Sequence, residues 1–424
     1  MKILFVTHGL PFGPHGGAKM RNLELIRGVS GEHEVHLIAT TWEAELKYLA
    51  LNRREFASFT FVVSMGGRAQ KIRAALRGVL KGRPLAIAQF YSEETEEKIR
   101  SFLLHNEVDL IVLEESLVAP YMDAIPRNCR ARVVIDFHNV ASHQAHTMTR
   151  MHLIGRRVRV ARVLDWFLAH NWEGRYANRA DQCLVVSDQE GSRLRKAAPR
   201  ARISVVANGI HPGTLLGQSK ASNTLVFVGT MAYQPNADAM RFFCRSILAR
   251  IRMQIPDIRL YIVGLDPPPD ICGLGVAEKP EKVALASSLG RIVVTGEVRD
   301  TRPYYEVANI VIVPLRAGGG TRLKILEAMA LGRPVVSTSF GCEGLAVKDG
   351  EHLMIADQPR EFAEKVIELL ENPQLAQRLC RNARSLVETR YDWMLLRKHF
   401  SCICGEKEKE TMGASDAILE GVEA

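Results

Sequence analysis

The sequence predicts an α/β protein made of two doubly wound domains, each with a parallel sheet. Its 424 residues are too many for one ordinary domain and suit two domains of about 200 residues each. Short β-rich apolar runs alternate with helical patterns along the chain, as in repeated βαβ units. The series of runs ends at a turn cluster before residue 212 and then starts afresh. We therefore expect two such domains that face each other across a cleft.

The predicted strands fall into two series. In residues 1–212 they are Lys2–Thr7, Glu34–Ala39, Thr60–Val63, Asp109–Leu113, Arg132–Asp136, Gln182–Val186 and Ile203–Val206. After a predicted linker at 213–222, residues 223–392 contain Leu225–Val228, Arg259–Val263, Ile292–Val294, Ile310–Val313, Pro334–Ser337 and His352–Ile355. Helical patterns separate these strands, and a last helix should occupy 393–404. Residues 405–424 are charged and rich in small residues, which predicts a mobile tail.

The composition is that of an ordinary globular protein, with 47% hydrophobic and 24% charged residues. No apolar run approaches the ~20 residues that a membrane-spanning helix needs. The apolar stretch between Met1 and His8 is too short for a signal-peptide core, so we expect a cytoplasmic protein. The eight cysteines are scattered without CxxC spacing, which favours reduced thiols over a disulfide framework or a metal site.

Positive charge is concentrated in two helix-like stretches. The net charge is +9, and the stretches 68–83 and 150–162 are rich in arginine and lysine with interleaved apolar residues. Basic amphipathic helices suit an anionic membrane surface, so we expect docking to the cytoplasmic face of the inner membrane. The competing interpretations are a solvated helix face and phosphate contacts to a substrate. No recognisable nucleic-acid module accompanies the charge, so nucleic acid is not an expected partner.

The segment 311–336 carries most of the chemical information. It reads as a strand, three consecutive glycines (318–320), a helix, a glycine stop and another strand. Such a loop exposes N–H groups at a helix N-terminus, where a diphosphate can bind. Lys324 could reach phosphate oxygens, and Glu327, on the same helix face, could accept both ribose hydroxyls. The competing interpretation is a surface ion pair between these two residues, and Arg322 lies about 200° around the helix from Lys324.

Two segments of the first domain could also contact a ligand. Gly16 and Gly17 lie between the first strand and the first helix, where they suit either a phosphate contact or a tight turn. His138 follows the strand that ends at Asp136, and ligands of doubly wound sheets gather at the carboxyl ends of strands. It could donate a hydrogen bond or titrate near neutral pH, or else be satisfied by backbone groups.

Several motifs are missing from the sequence. It contains no Asp-x-Asp pair that could hold a divalent metal on a diphosphate, and no GxxxxGK[ST], HExxH or GxSxG motif. Neither glycine-rich loop has the dinucleotide fingerprint, which argues against a dehydrogenase. The sequence therefore predicts a metal-independent diphosphate site that relies on a helix dipole and cations.

These segments together resemble the retaining glycosyltransferases of family 4, whose GT-B fold has two Rossmann-like domains. The resemblance spans nearly the whole chain. It is carried by GGAKMRNLELIRGVSGEHEVHLIAT (16–40), VVIDFHNV (133–140), VFVGTMAYQPNADAMRFF (226–243) and GGGTRLKILEAMALGRPVVSTSFGCEGL (318–345). The triple-glycine form is similar to a branch associated with bacterial exopolysaccharide assembly.

The resemblance implies a function for each domain. The N-terminal domain would face a polysaccharide or lipid-linked glycan acceptor, and the C-terminal domain would bind a nucleoside-diphosphate sugar, UDP- or GDP-linked, as co-substrate without another cofactor. By position, Glu327 would hold the ribose, Lys324 the diphosphate and His138 the transferred sugar. The backbone of Gly319, Gly320 and Thr321 would face the β-phosphate and sugar, that near Val298 would meet the base, and Gly16 and Gly17 would complete the phosphate site. The C-terminal helix would cross back to the N-terminal domain.

The sequence departs from the family pattern in two places. The family has two glutamates eight residues apart, but the position eight before Glu327 is Gly319. The stretch after Gly229 lacks the arginine and lysine that usually bind the diphosphate, so we expect Lys324, with Arg322 or Arg316, to replace them. Two alternatives stay open: a catalytically inactive donor-binding subunit, and another nucleotide-sugar enzyme of the same fold, such as an epimerase or phosphorylase.

Overall fold

The computed structural model describes residues 1–13, 16–52, 59–65, 78, 83–88, 90–143, 147, 156–217, 219, 223–277 and 292–405. The N-terminal domain has a parallel sheet in the order β3-β2-β1-β4-β5-β6-β7. Its strands are β1 Lys2–His8, β2 Glu34–Trp42, β3 Phe59–Met65, β4 Leu110–Glu114, β5 Arg132–Phe137, β6 Gln182–Val185 and β7 Ile203–Val205.

The helices of this domain are α1 Gly17–Ser30, α2 Leu46–Asn52, α3 Leu85–Ala88, α4 Glu93–His105, α5 Arg156–Ala177 and α6 Asp188–Ala197, with 3-10 turns at Glu43–Glu45 and Ser116–Ala124. Serine caps mark the start of two of them. Ser92 accepts the Thr95 N–H at α4, and Ser187 accepts the Glu190 N–H at α6. Both helices carry acidic residues in the first turn, which suits the positive end of the helix dipole.

The C-terminal domain has a second parallel sheet, in the order β10-β11-β9-β8-β12-β13-β14. Its strands are β8 Thr224–Val228, β9 Arg259–Val263, β10 Val276–Ala277, β11 Ile292–Gly296, β12 Ile310–Val313, β13 Val335–Ser337 and β14 Met354–Ile355. Every residue of β4, β8 and β12 is buried. Strands covered on both faces read as continuous apolar runs, which is why the sequence reveals them.

The helices of the C-terminal domain are α7 Gln234–Phe242, α8 Leu248–Gln254, α9 Pro269–Cys272, α10 Arg302–Val307, α11 Leu323–Ala330, α12 Pro359–Glu371, α13 Pro373–Arg390 and α14 Trp393–Gly405. A π-helical turn, Phe243–Ile247, joins α7 to α8. These two sheets with helical connections confirm the predicted fold class.

Helix α14 leaves the C-terminal domain and packs on α1 of the N-terminal domain. Its Phe400 is fully buried, 6.4 Å from the ring of Phe5, and Arg397 pairs with Glu24. The chain crosses between the domains at two adjacent points, since the Ile210 N–H donates to the Tyr391 carbonyl (2.7 Å) and the Trp393 N–H donates to the Ile210 carbonyl (3.2 Å).

Several sequence predictions fall outside the described residues. Among them are most of the basic stretch 68–83, the start of the stretch 150–162, part of the linker 213–222, and residues 406–424. The second basic stretch continues into the first two turns of α5. Within the described ranges, each helix is too short or too polar to cross a lipid bilayer.

Candidate active site

The two sheets place their switch points at the candidate site. The chain order reverses between β1 and β4 in one sheet and between β8 and β12 in the other. Ligands of doubly wound sheets bind at the carboxyl ends of the strands beside such a point. His138 directly follows β5, the neighbour of β4, and Lys324 and Glu327 lie on α11, which follows β12. The predicted site residues of both domains are thus carried by segments that meet at the domain boundary.

The glycine-rich loop before α11 has a conformation that requires glycine. Gly318 has φ +118° and Gly320 has φ +77°, values that other residues rarely adopt. The Gly319 N–H donates to the Tyr233 hydroxyl (3.2 Å). Arg322 is buried at the N-terminal end of α11 and donates to the carbonyls of Gly319 and Gly320. These hydrogen bonds from the buried Arg322 therefore stabilise the conformation of the loop.

Lys324 lies at the carboxyl end of β8. Its ammonium donates to Asn236 Oδ1 (2.9 Å) and lies 4.0 Å from the centre of the Phe227 ring. A Cβ atom at Gly229 would come within 2.7 Å of Nζ, so the approach depends on this glycine. Burial, and after it the charge of Arg322, lowers the pKa of Lys324 to about 7. The lysine is therefore only partly charged at neutral pH until an anion lies beside it.

Glu327 lies one turn further along α11. It accepts a hydrogen bond from the buried Tyr305 hydroxyl (2.9 Å). Burial, and after it the carboxylate of Glu327, raises the pKa of Tyr305 well above its ordinary value, so the phenol stays a donor. Lys324 and Glu327 thus have different hydrogen-bond partners on neighbouring elements, Asn236 and Tyr305.

Arg316 and Val298 are also predicted for donor binding, and both contact other residues of the C-terminal domain. Arg316 pairs with Asp238 of α7 through three hydrogen bonds (2.8, 2.9 and 3.2 Å) and lies over the Phe242 ring. Val298 follows β11 and packs, half-buried, against the core of the C-terminal domain. Arg316 is therefore already paired with a carboxylate in this structure.

His138 lies in a buried acidic cluster. Its Nε2 is 3.2 Å from Glu114 Oε2 and 3.3 Å from Asp136 Oδ2, and its Nδ1 is 3.7 Å from Glu115 Oε1. Burial opposes the charged imidazole, but the three carboxylates outweigh it and raise the pKa of His138 to about 10. Burial, followed by Asp136, raises the pKa of Glu114 to about 7. His138 is therefore a cation at neutral pH.

Arg21 supplies the second positive charge of this cluster. Its Nε and Nη2 donate to Oδ2 and Oδ1 of Asp136 (2.6 and 2.8 Å). Burial alone would raise the pKa of Asp136, but Arg21 and then His138 hold it well below its usual range. Glu114, Asp136 and His138 bring ligand atoms within 4.8 Å of one another, as a metal site would. In this structure the carboxylate of Asp136 is engaged by Arg21, and those of Glu114 and Asp136 lie beside His138.

The N-terminal domain touches the glycine-rich loop at several points. A Cβ atom at Gly17 would lie 3.0 Å from Leu323 Cδ1, and one at Gly320 would lie 2.7 Å from Asn139 Oδ1. Asn208 Nδ2 donates to Thr321 Oγ1 (3.1 Å). The predicted Gly17, Gly320 and Thr321 are thus part of one domain boundary, whereas Gly16 has no such close neighbour.

A polar cleft opens beside the glycine-rich loop. A further interdomain contact, the ion pair of Arg193 with Glu343, forms part of its wall. Its lining comes from both domains: His143, Ser187, Gln189, Glu190, Arg193, Gly319, Gly320, Thr321, Arg322, Glu343 and Gly344. The wall thus presents carboxylate, amide, imidazole and hydroxyl groups next to the glycine-rich loop.

Sequence reasoning did not predict Arg21, Glu114, Asn139, Asn208 or Tyr305 as site residues. Four of them lie in or next to segments that the sequence singles out for other reasons, such as the turn cluster at Asn208 and the strand end at Asn139. Their contacts join positions more than 20 residues apart in the chain, as with Glu114 and His138. No spacing along one segment could have revealed them.

We expect the charge of His138 to make stability depend on pH. The folded protein keeps this proton up to about pH 10, whereas an unfolded histidine loses it near its ordinary value of 6.5. His138 therefore contributes a loss of stability as pH rises through that window, by at most about 1.4 kcal/mol per pH unit, whereas the lowered pKa of Lys324 contributes the opposite change above about pH 7. Urea unfolding from pH 7 to 10 should therefore show stability rising more steeply with pH in His138→Gln than in the native protein. The exposed His105→Gln should keep the native slope, and equal slopes for all three proteins would refute the charge assignment.

Both domains match family models. Residues 15–213 match the model described as Glycosyltransferase Family 4, and residues 222–372 match the model described as Glycosyl transferases group 1. The two matched segments lie on either side of the interdomain linker.

Relatives and solved structures agree with this match. A Klebsiella pneumoniae protein described as an uncharacterized 44.6 kDa protein in the cps region is 24% identical over 96% of this chain and 99% of its own. The phosphatidyl-myo-inositol mannosyltransferase of Mycobacterium tuberculosis is 24% identical over 72% of this chain and 76% of its own. Anabaena HepE in complex with UDP and glucose is similar in fold, with a TM-score of 0.64 and 15% identity over 96% of this chain and 100% of its own.

These findings confirm the predicted enzyme class and fold. Two glycosyltransferase domains, each with a parallel sheet, meet where the predicted site residues lie. The chain is therefore a glycosyltransferase of the group 1 type with the GT-B fold.

Proposed function

We propose that this enzyme is a retaining glycosyltransferase that moves a sugar from a UDP- or GDP-linked donor to a polysaccharide or lipid-linked glycan, without a metal ion. One observation carries the proposal. The glycine-rich loop, followed by Lys324 and Glu327 on successive turns of α11, is in contact with the segment of the N-terminal domain that bears His138 and Asn139. A nucleoside-diphosphate sugar has a ribose, an anionic diphosphate and a sugar, and each has suitable partners in this order.

The diphosphate is the leaving group, and its charge grows as the bond to the sugar breaks. The N-terminus of α11 offers N–H groups and the positive end of the helix dipole, and Lys324 adds a cation. A diphosphate beside Lys324 favours its charged form, so the lysine takes up a proton when the donor binds. Such preorganised charge stabilises the departing anion without a metal ion.

Glu327 suits the ribose. Its carboxylate follows Lys324 by one helical turn, and the Tyr305 hydroxyl holds it in place. A carboxylate can accept hydrogen bonds from two neighbouring hydroxyl groups.

The carboxylates near His138 suit charge support better than covalent attack. Asp136 and Glu114 are fully buried and hydrogen-bonded to Arg21 and His138. In the proposed step the acceptor oxygen bonds to the anomeric carbon on the face from which the phosphate oxygen departs. The acceptor proton passes to the leaving diphosphate, so the bond formed and the bond broken balance. Charged His138 would lie near the transferred sugar and help to orient it.

The descriptions of two relatives support the acceptor class. One relative carries the cps region in its description and another is named for phosphatidyl-myo-inositol. Both descriptions fit a surface polysaccharide or a lipid-linked acceptor.

A membrane-facing surface fits such an acceptor. Helix α5 has four arginines in its first two turns, at 156, 157, 159 and 162, followed by Trp166 and Phe167, which are 36% and 56% exposed. A helix whose sequence combines basic and aromatic residues suits the interface of an anionic bilayer. We therefore place the proposed docking surface on α5 of the N-terminal domain.

We expect one nucleoside diphosphate to stabilise the protein against heat through Glu327. Melting temperatures would be measured with UDP, GDP, ADP, dTDP and NAD, with EDTA throughout. The Glu327→Ala variant should bind that nucleotide roughly 5- to 150-fold more weakly, as the loss of about 1–3 kcal/mol implies. Glu364→Ala, at an exposed position of α12, is the matched control. Unchanged affinity in Glu327→Ala would contradict its role, and loss of binding in EDTA would contradict metal independence.

Nucleotide affinity should also fall as pH rises from 7 to 9. Lys324 loses its charge above a pKa of about 7, while the terminal phosphate is already ionised above about pH 6. Calorimetric titration should show a loss of at most about tenfold per pH unit. Lys324→Gln should bind weakly with little dependence on pH, and Lys365→Gln on α12 should behave as the native protein. A flat native profile would show that Lys324 does not contact the diphosphate.

The α5 surface can be tested with vesicles. Vesicles with 30% anionic lipid, roughly a leaflet rich in anionic lipids, should sediment the native protein. Trp166→Ala with Phe167→Ala should reduce the bound fraction several-fold, because the apolar anchors are lost. Met253→Ala, a highly exposed residue of the other domain, is the control. Equal sedimentation of all proteins would exclude docking through α5.

A further inference from the structure

Arg21 is a fully buried arginine at which two parts of the active site meet. Two of its nitrogens bind the carboxylate of Asp136, as described above. The third, Nη1, donates to the carbonyls of Val206 (2.9 Å) and Ala207 (3.1 Å) and to Oδ1 of Asn208 (2.9 Å). One guanidinium therefore joins the end of β5, which carries His138, to the segment that leads out of the N-terminal domain.

This contact determines which way the Asn208 amide points. A guanidinium only donates, so the oxygen of the amide must face Arg21 and its NH₂ group must face away. That NH₂ group donates to Thr321 Oγ1 (3.1 Å), and Thr321 directly follows the glycine-rich loop. A flipped amide would place its NH₂ group against the guanidinium. Arg21 therefore orients one of the hydrogen bonds between the two domains.

Asn208 also lies next to the point where the chain crosses between the domains. Two residues later, Ile210 makes backbone hydrogen bonds to Tyr391 and Trp393. Gly209 leaves no room there, since a Cβ atom would lie 2.7 Å from Leu396 and 2.8 Å from the Tyr391 carbonyl. A rotation of one domain about this crossing would change the distance from Asn208 to Thr321 and break the hydrogen bond.

We propose that Arg21 and Asn208 are positioning residues that hold the glycine-rich loop against His138 through the hydrogen bond to Thr321. The consequence for turnover rests on the proposed function. Groups of the C-terminal domain would bind the nucleoside diphosphate, so its affinity does not need this bond. Turnover does need it, because the sugar must lie between the loop and the His138 segment. Small errors in such positioning cost large factors in rate.

The test is a double-mutant cycle on Asn208→Ala and Thr321→Val. Each single variant should lower kcat at least about tenfold. The affinity for the nucleoside diphosphate that stabilises the native protein against heat should change less than about twofold. The double variant should be no slower than the single variants, because both remove the same hydrogen bond. Thr321→Ser keeps the hydroxyl and should restore most of the rate. Additive losses, or native kcat in Asn208→Ala, would overturn the proposal.

A matched control is Asn106→Ala, which removes a comparable amide hydrogen bond, to the Phe102 carbonyl (2.9 Å), at the exposed end of α4. It should leave kcat unchanged. Arg21→Lys would also disrupt the paired hydrogen bonds to Asp136, so this variant does not isolate the contact between Asn208 and Thr321. The Asn208 and Thr321 side chains meet at the domain boundary, where Asn208 is buried and Thr321 is half-buried.

A measurement without any ligand separates this proposal from the proposed function. Hydrogen exchange of the amides in 206–210 and 318–323 should be about tenfold faster or more in Asn208→Ala than in the native protein, because an open domain boundary exposes both segments. Faster exchange without sugar transfer by the native protein would support the positioning contact and refute the proposed reaction. Unchanged exchange in both segments would refute the positioning contact itself.

Discussion

The buried ion pair of Arg21 with Asp136 is the interaction on which the rest of the site depends. A buried ion pair is costly unless every polar atom finds a partner. Here the oxygens of Asp136 accept from Arg21 and lie close to His138, and the remaining N–H groups of Arg21 reach the backbone at 206–207 and the Asn208 amide. The pair therefore links β5, α1 and the interdomain crossing. Arg21 lies one turn after Gly17 on α1, so the same anchor also brings Gly17 against Leu323.

The parallel sheets explain why residues so distant in sequence meet. The carboxyl ends of all strands in a parallel sheet lie at the same end of the sheet, and these ends of the two sheets face the domain boundary. The loops after β1, β4, β5, β8 and β12 are therefore neighbours although the chain visits them far apart. Arg21 meets Asp136 across 115 residues, and Asn208 meets Thr321 across 113. The first contact forms within the N-terminal domain, whereas the second requires both domains to be folded.

The sequence predicted the fold well because the central strands are buried on both faces. The predicted Ile310–Val313 agrees with β12 to the residue, whereas the two-residue edge strand β10 has no apolar run to reveal it. The helix predicted from Thr321 begins at Leu323, because Arg322 turns back to the loop carbonyls. Local spacing placed Lys324 and Glu327 on one helix. It could not show the burial that lowers the pKa of Lys324, or the approach of Glu114 and Glu115 that helps to raise the pKa of His138, since these carboxylates come from another segment.

The opposite pKa shifts of the two sides also bear on how the proposed donor lies in the cleft. Burial and then the charge of Arg322 lower the pKa of Lys324 to about 7, so a negative charge beside this lysine would favour its charged form. The pKa of His138 rises to about 10, so the N-terminal side has carboxylates that stabilise any nearby cation. An anion is therefore favoured beside Lys324 and disfavoured beside Glu114 and Asp136. A nucleoside-diphosphate sugar has an anionic middle and a neutral, hydroxyl-rich end. Its diphosphate belongs on the α11 side and its sugar on the His138 side, which places the bond to be broken at the domain boundary.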